Sequence, residues 1–377
     1  MKQWLVILLA AVGLAMTAGA QAQLTWTTST APQFGPGRIQ MHGTAVTTTA
    51  GRTFIHIISG NSQWAGADDT RIYYSEVTGS GLTTALSNFT TATYVFPVNN
   101  AVYMTRSCVG WGDKIYCVGG RFNAGGSVFN GIRVFEVQPN GDVVSLLQSY
   151  DGTPYSPALD RLESAAVINP ATGILYIAGG GNPAVPQVQR VQIDPVTGQV
   201  TGAVTTAGTL PVALRQGTAL ILNNRLYYVA GSTGSDPVPT AVYYADILPS
   251  GDLGTFNTAT APLPAGRYDG GAVVYRGTIY VIGGTDTTVG GSVVTNNASK
   301  DTVWQATMGP GGDITGWTVD TSIPIAPATS GGFRRVGAVV AGNTIVVVGG
   351  RQNNTDISDL ARIGYEPPAA VEDWSLF

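Results

Sequence analysis

Charge is scarce in this chain: Asp, Glu, Lys and Arg together make up 11% of its 377 residues, and the formal net charge is −4. No basic run occurs, so the dense Lys/Arg that neutralises a phosphate backbone is missing and nucleic acid is excluded as a partner. Histidine is limited to His42 and His56, and cysteine to Cys108 and Cys117. No cluster of His, Cys and carboxylates has metal-ligand spacing, so neither a metal nor another cofactor is expected. A P-loop, a G-x-S-x-G elbow and a Ca²⁺ loop are absent too. Beyond residue 22 there is no apolar periodicity of 3.6 residues, which argues against a helical fold. No apolar run reaches the roughly 20 residues that span a bilayer as a helix.

The longest apolar run, Leu5 to Met16, follows Lys2 and precedes Ala20-Gln21-Ala22. One cation, a short apolar core and a small-x-small end describe a secretory leader cut after Ala22. The expectation is an exported chain, periplasmic, extracellular or on the cell surface. Its parts are a signal peptide over 1–22, one domain over 23–366 and a tail over 367–377. Cutting the leader removes Lys2 and leaves 18 basic against 23 acidic residues.

What the sequence has in abundance is glycine, 50 residues, and a recurring stretch. Ile279-Tyr280-Val281-Ile282-Gly283-Gly284 returns at Ile115 to Gly120, Leu175 to Gly180 and Ile345 to Gly350, with weaker copies at Leu226 to Gly231 and Phe54 to Gly60. The final glycines are 60, 60, 51, 53 and 66 residues apart. Six copies at such a period mark a repeat architecture. Each copy is preceded by an Arg, a small-residue strand and a tight turn, and followed by a loop and a third strand. After four third strands comes a Pro/Gly hairpin: Pro139-Asn140-Gly141-Asp142, Pro195-Val196-Thr197-Gly198, Pro249-Ser250-Gly251-Asp252 and Pro310-Gly311-Gly312-Asp313. Proline presets the first turn dihedral and glycine supplies the positive one, so a fourth strand begins there.

The fold class expected is therefore all-β: a six-bladed β-propeller of four-stranded antiparallel blades. Unit six lacks a fourth strand of its own. Leu24-Thr25-Trp26-Thr27-Thr28 resembles the fourth strand of unit five, Ile314-Thr315-Gly316-Trp317-Thr318. The N-terminal strand should therefore complete blade six and remove the ring's open edges. An Arg-small-small-small-apolar strand followed by apolar-Tyr-apolar-apolar-Gly-Gly resembles the kelch repeat, over nearly all of residues 38 to 366. The usual blade tryptophan of strand four is mostly replaced.

Counting out from the turn Gly112-Asp113, Cys108 and Cys117 face each other on neighbouring strands. There Cα atoms lie about 4.5 Å apart, within disulfide geometry. In an exported chain the pair should be oxidised.

In a propeller the loop entering strand one and the loop between strands two and three open on the same face. Arg106, Arg161, Arg215, Arg267 and Arg334 enter strand one, Arg38 lies a little earlier in its unit, and Arg121 and Arg351 follow glycine pairs. That places 8 of the 16 arginines on one rim. Guanidinium binds carboxylate, sulfate or phosphate bidentately, and a ring of them focuses positive potential. The competing reading is structural, with Asp160, Glu163 and Asp269 neutralising part of the rim. Trp64 in the rim loop Asn61 to Gly66, and Phe89, Tyr94, Phe96 and Tyr103 on the inter-blade connecting segment Phe89 to Tyr103, would suit a sugar as exposed aromatics beside Arg and Asn. The partners expected are an anionic carbohydrate or a surface protein, engaged by a binding module. Some exported six-bladed kelch proteins are sialic-acid mutarotases, so the resemblance also implies an enzyme. In that reading Glu163 or His42 is the catalytic acid/base, and Arg215 with Arg267 clamps a carboxylate. The copper-radical oxidases with kelch propellers need two histidines and two tyrosines on the metal, a set that His56 on a core strand does not fit. A structural surface component is the third reading.

Overall fold

A computed structural model describes residues 23–29, 42–58, 70–80, 83–96, 102–103, 107–122, 129, 131–151, 162–286, 300–324, 336–352, 355–356 and 361–366. Six antiparallel sheets form a ring. Blade 2 shows the plan, with strands Cys108–Trp111, Lys114–Val118, Gly131–Val137 and Val143–Asp151 running from the centre outward. Blades 3 and 5 repeat it from Ala165–Asn169 to Val200–Thr209 and from Gly271–Tyr275 to Ile314–Val319. Blade 4 runs from Thr218–Leu222 to a fourth strand of two residues, Asn257–Thr258. In blade 1 the outer place is shared by Ala85–Leu86 and Thr90–Val95, both paired with Arg71–Thr78.

Blade 6 closes as the sequence implied. Gly337–Ala341, Thr344–Val348 and Ala361–Tyr365 are followed in the sheet by Thr25–Ser29, from the other end of the chain. Cys108 and Cys117 are paired opposite each other and bonded, with Cα atoms 4.0 Å apart. The architecture is a six-bladed β-propeller, with a 3₁₀ turn at Pro310–Gly312 in the blade 5 hairpin.

There is no single central core. The buried apolar side chains fall into clusters between neighbouring blades, one at each of the six seams. Side chains alternate across a strand, so consecutive residues of strand two serve opposite neighbours. Tyr228 joins the cluster shared with blade 3 and Tyr227 the cluster shared with blade 5. Burial on both faces explains why these strands read as unbroken apolar runs.

The repeated tyrosine does more than fill space. Tyr116 Oη donates to the Gly198 carbonyl of blade 3 (2.8 Å), Tyr176 to Gly251 of blade 4 (2.8 Å) and Tyr227 to Gly312 of blade 5 (2.5 Å). Each hydroxyl therefore straps a blade to the strand 3–4 hairpin of the next. In blade 1 the strap is His56, whose Nε2 lies 2.8 Å from the Gly141 carbonyl. A carbonyl only accepts, so Nε2 carries the proton and Nδ1 is the bare nitrogen, which has no partner. Burial without an acceptor for a second proton lowers the His56 pKa to about 4. The hairpin glycines are required twice over: Gly251 has φ +82°, and a Cβ there would meet Ile174 Cδ1 at 2.4 Å.

Candidate functional site

The inner strands enclose a channel cavity of about 290 Å³. Its lining consists of small and apolar residues such as Gly43, Ala45, Val109, Ala166, Leu220 and Ala338. None of the lining residues is titratable. Charged side chains stand instead at the mouth, where strand one is entered.

Blades 3, 4 and 5 place Glu163, Gln216 and Asp269 at that entry, 53 residues apart in each step. All three adopt the left-handed region, with φ of 57°, 59° and 60°. For residues with a Cβ this costs about 1 kcal/mol or more each, so it persists only where neighbours impose it. The neighbours are each other: Gln216 N–H donates to the Glu163 carbonyl (2.9 Å) and Asp269 N–H to the Gln216 carbonyl (3.2 Å). A backbone arch thus crosses two blade seams at the mouth. Its side chains are buried, with Glu163 and Gln216 7% exposed and Asp269 2%.

Around Glu163 the arch becomes a polar site. Gln216 Nε2 donates to Glu163 Oε1 (2.9 Å), and Arg215 Nη1 lies 3.5 Å from Glu163 Oε2. The Arg215 side chain is 24% exposed, while its Nε is buried without a partner. Its backbone is fixed by paired hydrogen bonds with Ser232, on the loop after strand two of the same blade. Glu163 thus orients a guanidinium that stays partly exposed.

Arg267 behaves differently. It is 4% exposed, its guanidinium lies 4.1 Å over the Trp304 ring, and it donates to Gly266 O (2.9 Å) and Thr302 Oγ1 (3.1 Å). Burial lowers its pKa to about 10, against the raising effect of Asp286 and Asp301. The contrast comes from one residue of register. Gly180 N–H donates to Leu214 O and Gly231 N–H to Arg267 O, so Arg267 stands where blade 4 has Leu214. Arg215 is matched instead by Tyr268, since Arg215 bridges Ser232 as Tyr268 bridges Thr285.

The other expected site residues lie wholly or partly outside the described set. Arg106, Arg161, Arg334 and Trp64 are outside it, as are the leader and the tail 367–377. Arg121 opens a two-residue strand paired with Val102–Tyr103, Arg351 opens one paired with Thr355–Asp356, and His42 begins the first strand of blade 1, all three as backbone only. The aromatic segment needs a correction. Thr90–Val95 is a blade strand rather than a connecting loop, and Phe96 is 2% exposed, packed edge-on against Tyr94 and Phe135. Phe96 is therefore core and offers no face to a sugar. Gln216 escapes the sequence reading, and Asp269 enters it as a carboxylate neutralising the rim, without its place beside Gln216. Their signal was the 53-residue step from Glu163, each residue standing just ahead of a Ser or Gly that opens strand one.

Among the described residues no three His, Cys, Asp or Glu side chains come together as a metal-holding group. Nor is any described helix long and apolar enough to cross a membrane.

No protein-family profile matches the chain, and no curated protein matches it. Among solved structures, one titled "Structure of YjhT" superposes with a TM-score of 0.59 at 14% identity, covering 88% of this chain and 96% of that one. At this identity the likeness is one of fold. The kelch resemblance thus rests on the residues of the blades themselves.

Proposed function

We propose that the protein is an exported binding module whose channel mouth takes a small anionic glycan, with Arg215 as the group that receives its carboxylate. The observation that carries this reading is the Arg215–Glu163–Gln216 arrangement above an otherwise uncharged, small-residue channel. Glu163 orients the guanidinium, and the outward side of the fork is free for a bidentate partner. The cavity suits a single sugar ring rather than a polymer, since pockets for larger ligands run to several hundred Å³ and more. Export is supported by the leader pattern and by the oxidised Cys108–Cys117 pair.

A second reading is favoured by the burial of Glu163. A buried carboxylate beside the ligand's carboxylate clamp is placed to take a proton from one sugar oxygen and return it to another, the chemistry of a mutarotase. The ring oxygen would receive a proton as the anomeric hydroxyl lost one, so opening and reclosing need no other reagent.

Both readings are tested by titrating uronates, sialic acid and neutral sugars at low and high salt, followed by calorimetry. Salt-sensitive binding of the acidic sugars, lost in Arg215→Ala, supports the mouth as the site. Equal behaviour of acidic and neutral sugars, or binding untouched by Arg215→Ala, removes it. Acceleration of anomer exchange by NMR, abolished in Glu163→Gln with binding retained, would select the enzyme.

A further inference from the structure

The sixth seam, where the N-terminal strand meets blade 5, inverts a charge pattern found at two other seams. Between blades 4 and 5, the carboxylate of hairpin residue Asp313 accepts from the N–H (3.1 Å) and hydroxyl of Thr260, just beyond the fourth strand of blade 4. Between blades 1 and 2, Asp142 does the same for Thr93 (2.8 and 2.6 Å). At both of these seams the carboxylate comes from the hairpin of the following blade.

Blade 6 has no such hairpin, because its fourth strand enters from the other end of the chain. Thr27 pairs with Ile363 and Thr318 with Gln305, and these face Val346 and Tyr280 at equivalent places in strand two. Counting back past the bulge near Thr315, Leu24 takes the place of Ile314; both are buried, at 1% and 0%. Gln23 then takes the place of Asp313. On the opposing side Asp320 stands where blade 4 has Ala259: their N–H groups donate to Val303 O and Val242 O. The carboxylate has thus crossed the seam, from residue 23 to residue 320.

Asp320 is 5% exposed. Its Oδ1 accepts from Leu24 N–H (2.9 Å), Thr321 N–H (2.6 Å) and the Thr321 hydroxyl (3.1 Å), which is also 2.5 Å from Leu24 O. Its Oδ2 is buried and has no partner. A buried carboxylate oxygen left unpaired is costly, and calls for a donor or cation that arrives by another route. The nitrogen of Gln23 is joined to that of Leu24 through three bonds, so it lies within about 7 Å of Oδ1 by covalent geometry.

We propose that Asp320 is the receiving group for the α-ammonium created when the chain is cut between Ala22 and Gln23, so that leader removal supplies the last ion pair of the ring. Hydrolysis of that bond consumes one water and leaves a carboxylate on the leader and an ammonium on Gln23. The other groups facing the site are Tyr280 Oη, which accepts from Gln305 Nε2 (2.8 Å) where other blades have a strap, and Tyr275, whose hydroxyl donates to Asn343 O (2.9 Å). Glu366 is paired with Arg276 (2.6 Å), so among the described residues at this seam Asp320 is the carboxylate without a cation. This rests on the export reading, and not on the ligand assigned to the mouth.

The test starts from the full-length gene in an exporting bacterial host, with Gln23→Ser introduced so that the new end cannot cyclise. A companion carries Gly-Ser inserted between residues 22 and 23, which moves the ammonium two residues outward. Intact mass reads the cut by itself, and a cut elsewhere overturns the proposal. With the cut in place, melting is followed from pH 6 to 10. The native end should melt higher by about 2 °C. A carboxylate raises the pKa of the ammonium it holds, so this gain is complete below the unfolded α-amino value of about 8 and is lost as pH rises through the folded one. It should be absent in Asp320→Asn. Should that variant not fold, amine acylation at pH 7 takes its place, and should be several-fold slower for the native end than for the extended one. Equal melting at every pH, a gain that survives Asp320→Asn, or equal acylation rates would overturn it.

Discussion

The two faces of this ring use repetition in opposite ways. On the hairpin face the same residue types recur to do the same job: Tyr116, Tyr176 and Tyr227 each reach a glycine carbonyl of the next blade. On the mouth face the backbone recurs while the side chains change. Glu163, Gln216 and Asp269 share one left-handed conformation and one hydrogen-bonded arch, yet present a carboxylate, an amide and a second carboxylate. Where residue type and geometry repeat together, the repeat is holding the ring closed. Where geometry repeats and chemistry diverges, the positions are free to differ by task.

The largest expected effect lies at the one strap that departs from tyrosine. His56 is neutral in the fold with a pKa of about 4, against 6.5 in the unfolded chain. The unfolded state therefore takes up a proton first as pH falls. The stability this site contributes is complete above pH 6.5 and is lost toward pH 4, by about 3 kcal/mol. Denaturant titrations across that range measure it, and His56→Tyr, the residue of blades 2 to 5, should flatten this part of the profile. An unchanged slope would mean that His56 is not the sensor.

Next in size is Gly251→Ala. A side chain at φ +82° that also meets Ile174 should cost about 2 kcal/mol by chemical denaturation. Tyr176→Phe keeps the ring but leaves the Gly251 carbonyl without its donor, for a loss of about 1 kcal/mol. Both should leave sugar binding at the mouth unchanged, and a loss of binding in either would blur the division between the faces. Smallest in stability is Arg215→Lys, expected within about 0.5 kcal/mol of the parent, since its pair with Glu163 is long and partly exposed. Its effect should appear in binding, because an ammonium lacks the planar fork.

The sequence made the ring legible because strand two is buried on both faces and its period survives every loop-length change. It also made the closure legible, through Leu24 and Trp26 echoing Ile314 and Trp317. The straps were hidden, since a tyrosine in an apolar run reads as core whether or not its hydroxyl has a distant partner. The mouth was half legible. Glu163 and Arg215 stood out as charged residues near strand one, but Arg215 and Arg267 looked alike. Only strand register, one residue apart, sends one guanidinium to the mouth and the other over Trp304. Phe96 was misread because blade 1 reaches its fourth strand late, after Ala85–Leu86, so a core aromatic looked like part of a loop.

The most direct test of the division between faces is a paired measurement on Arg215→Ala and Tyr176→Phe: acidic-sugar affinity by calorimetry and stability by denaturation, on the same preparations. The account predicts that Arg215→Ala loses affinity and keeps its stability, while Tyr176→Phe loses stability and keeps its affinity. If both variants lose both properties together, or if Arg215→Ala binds like the parent, the mouth is not the functional face.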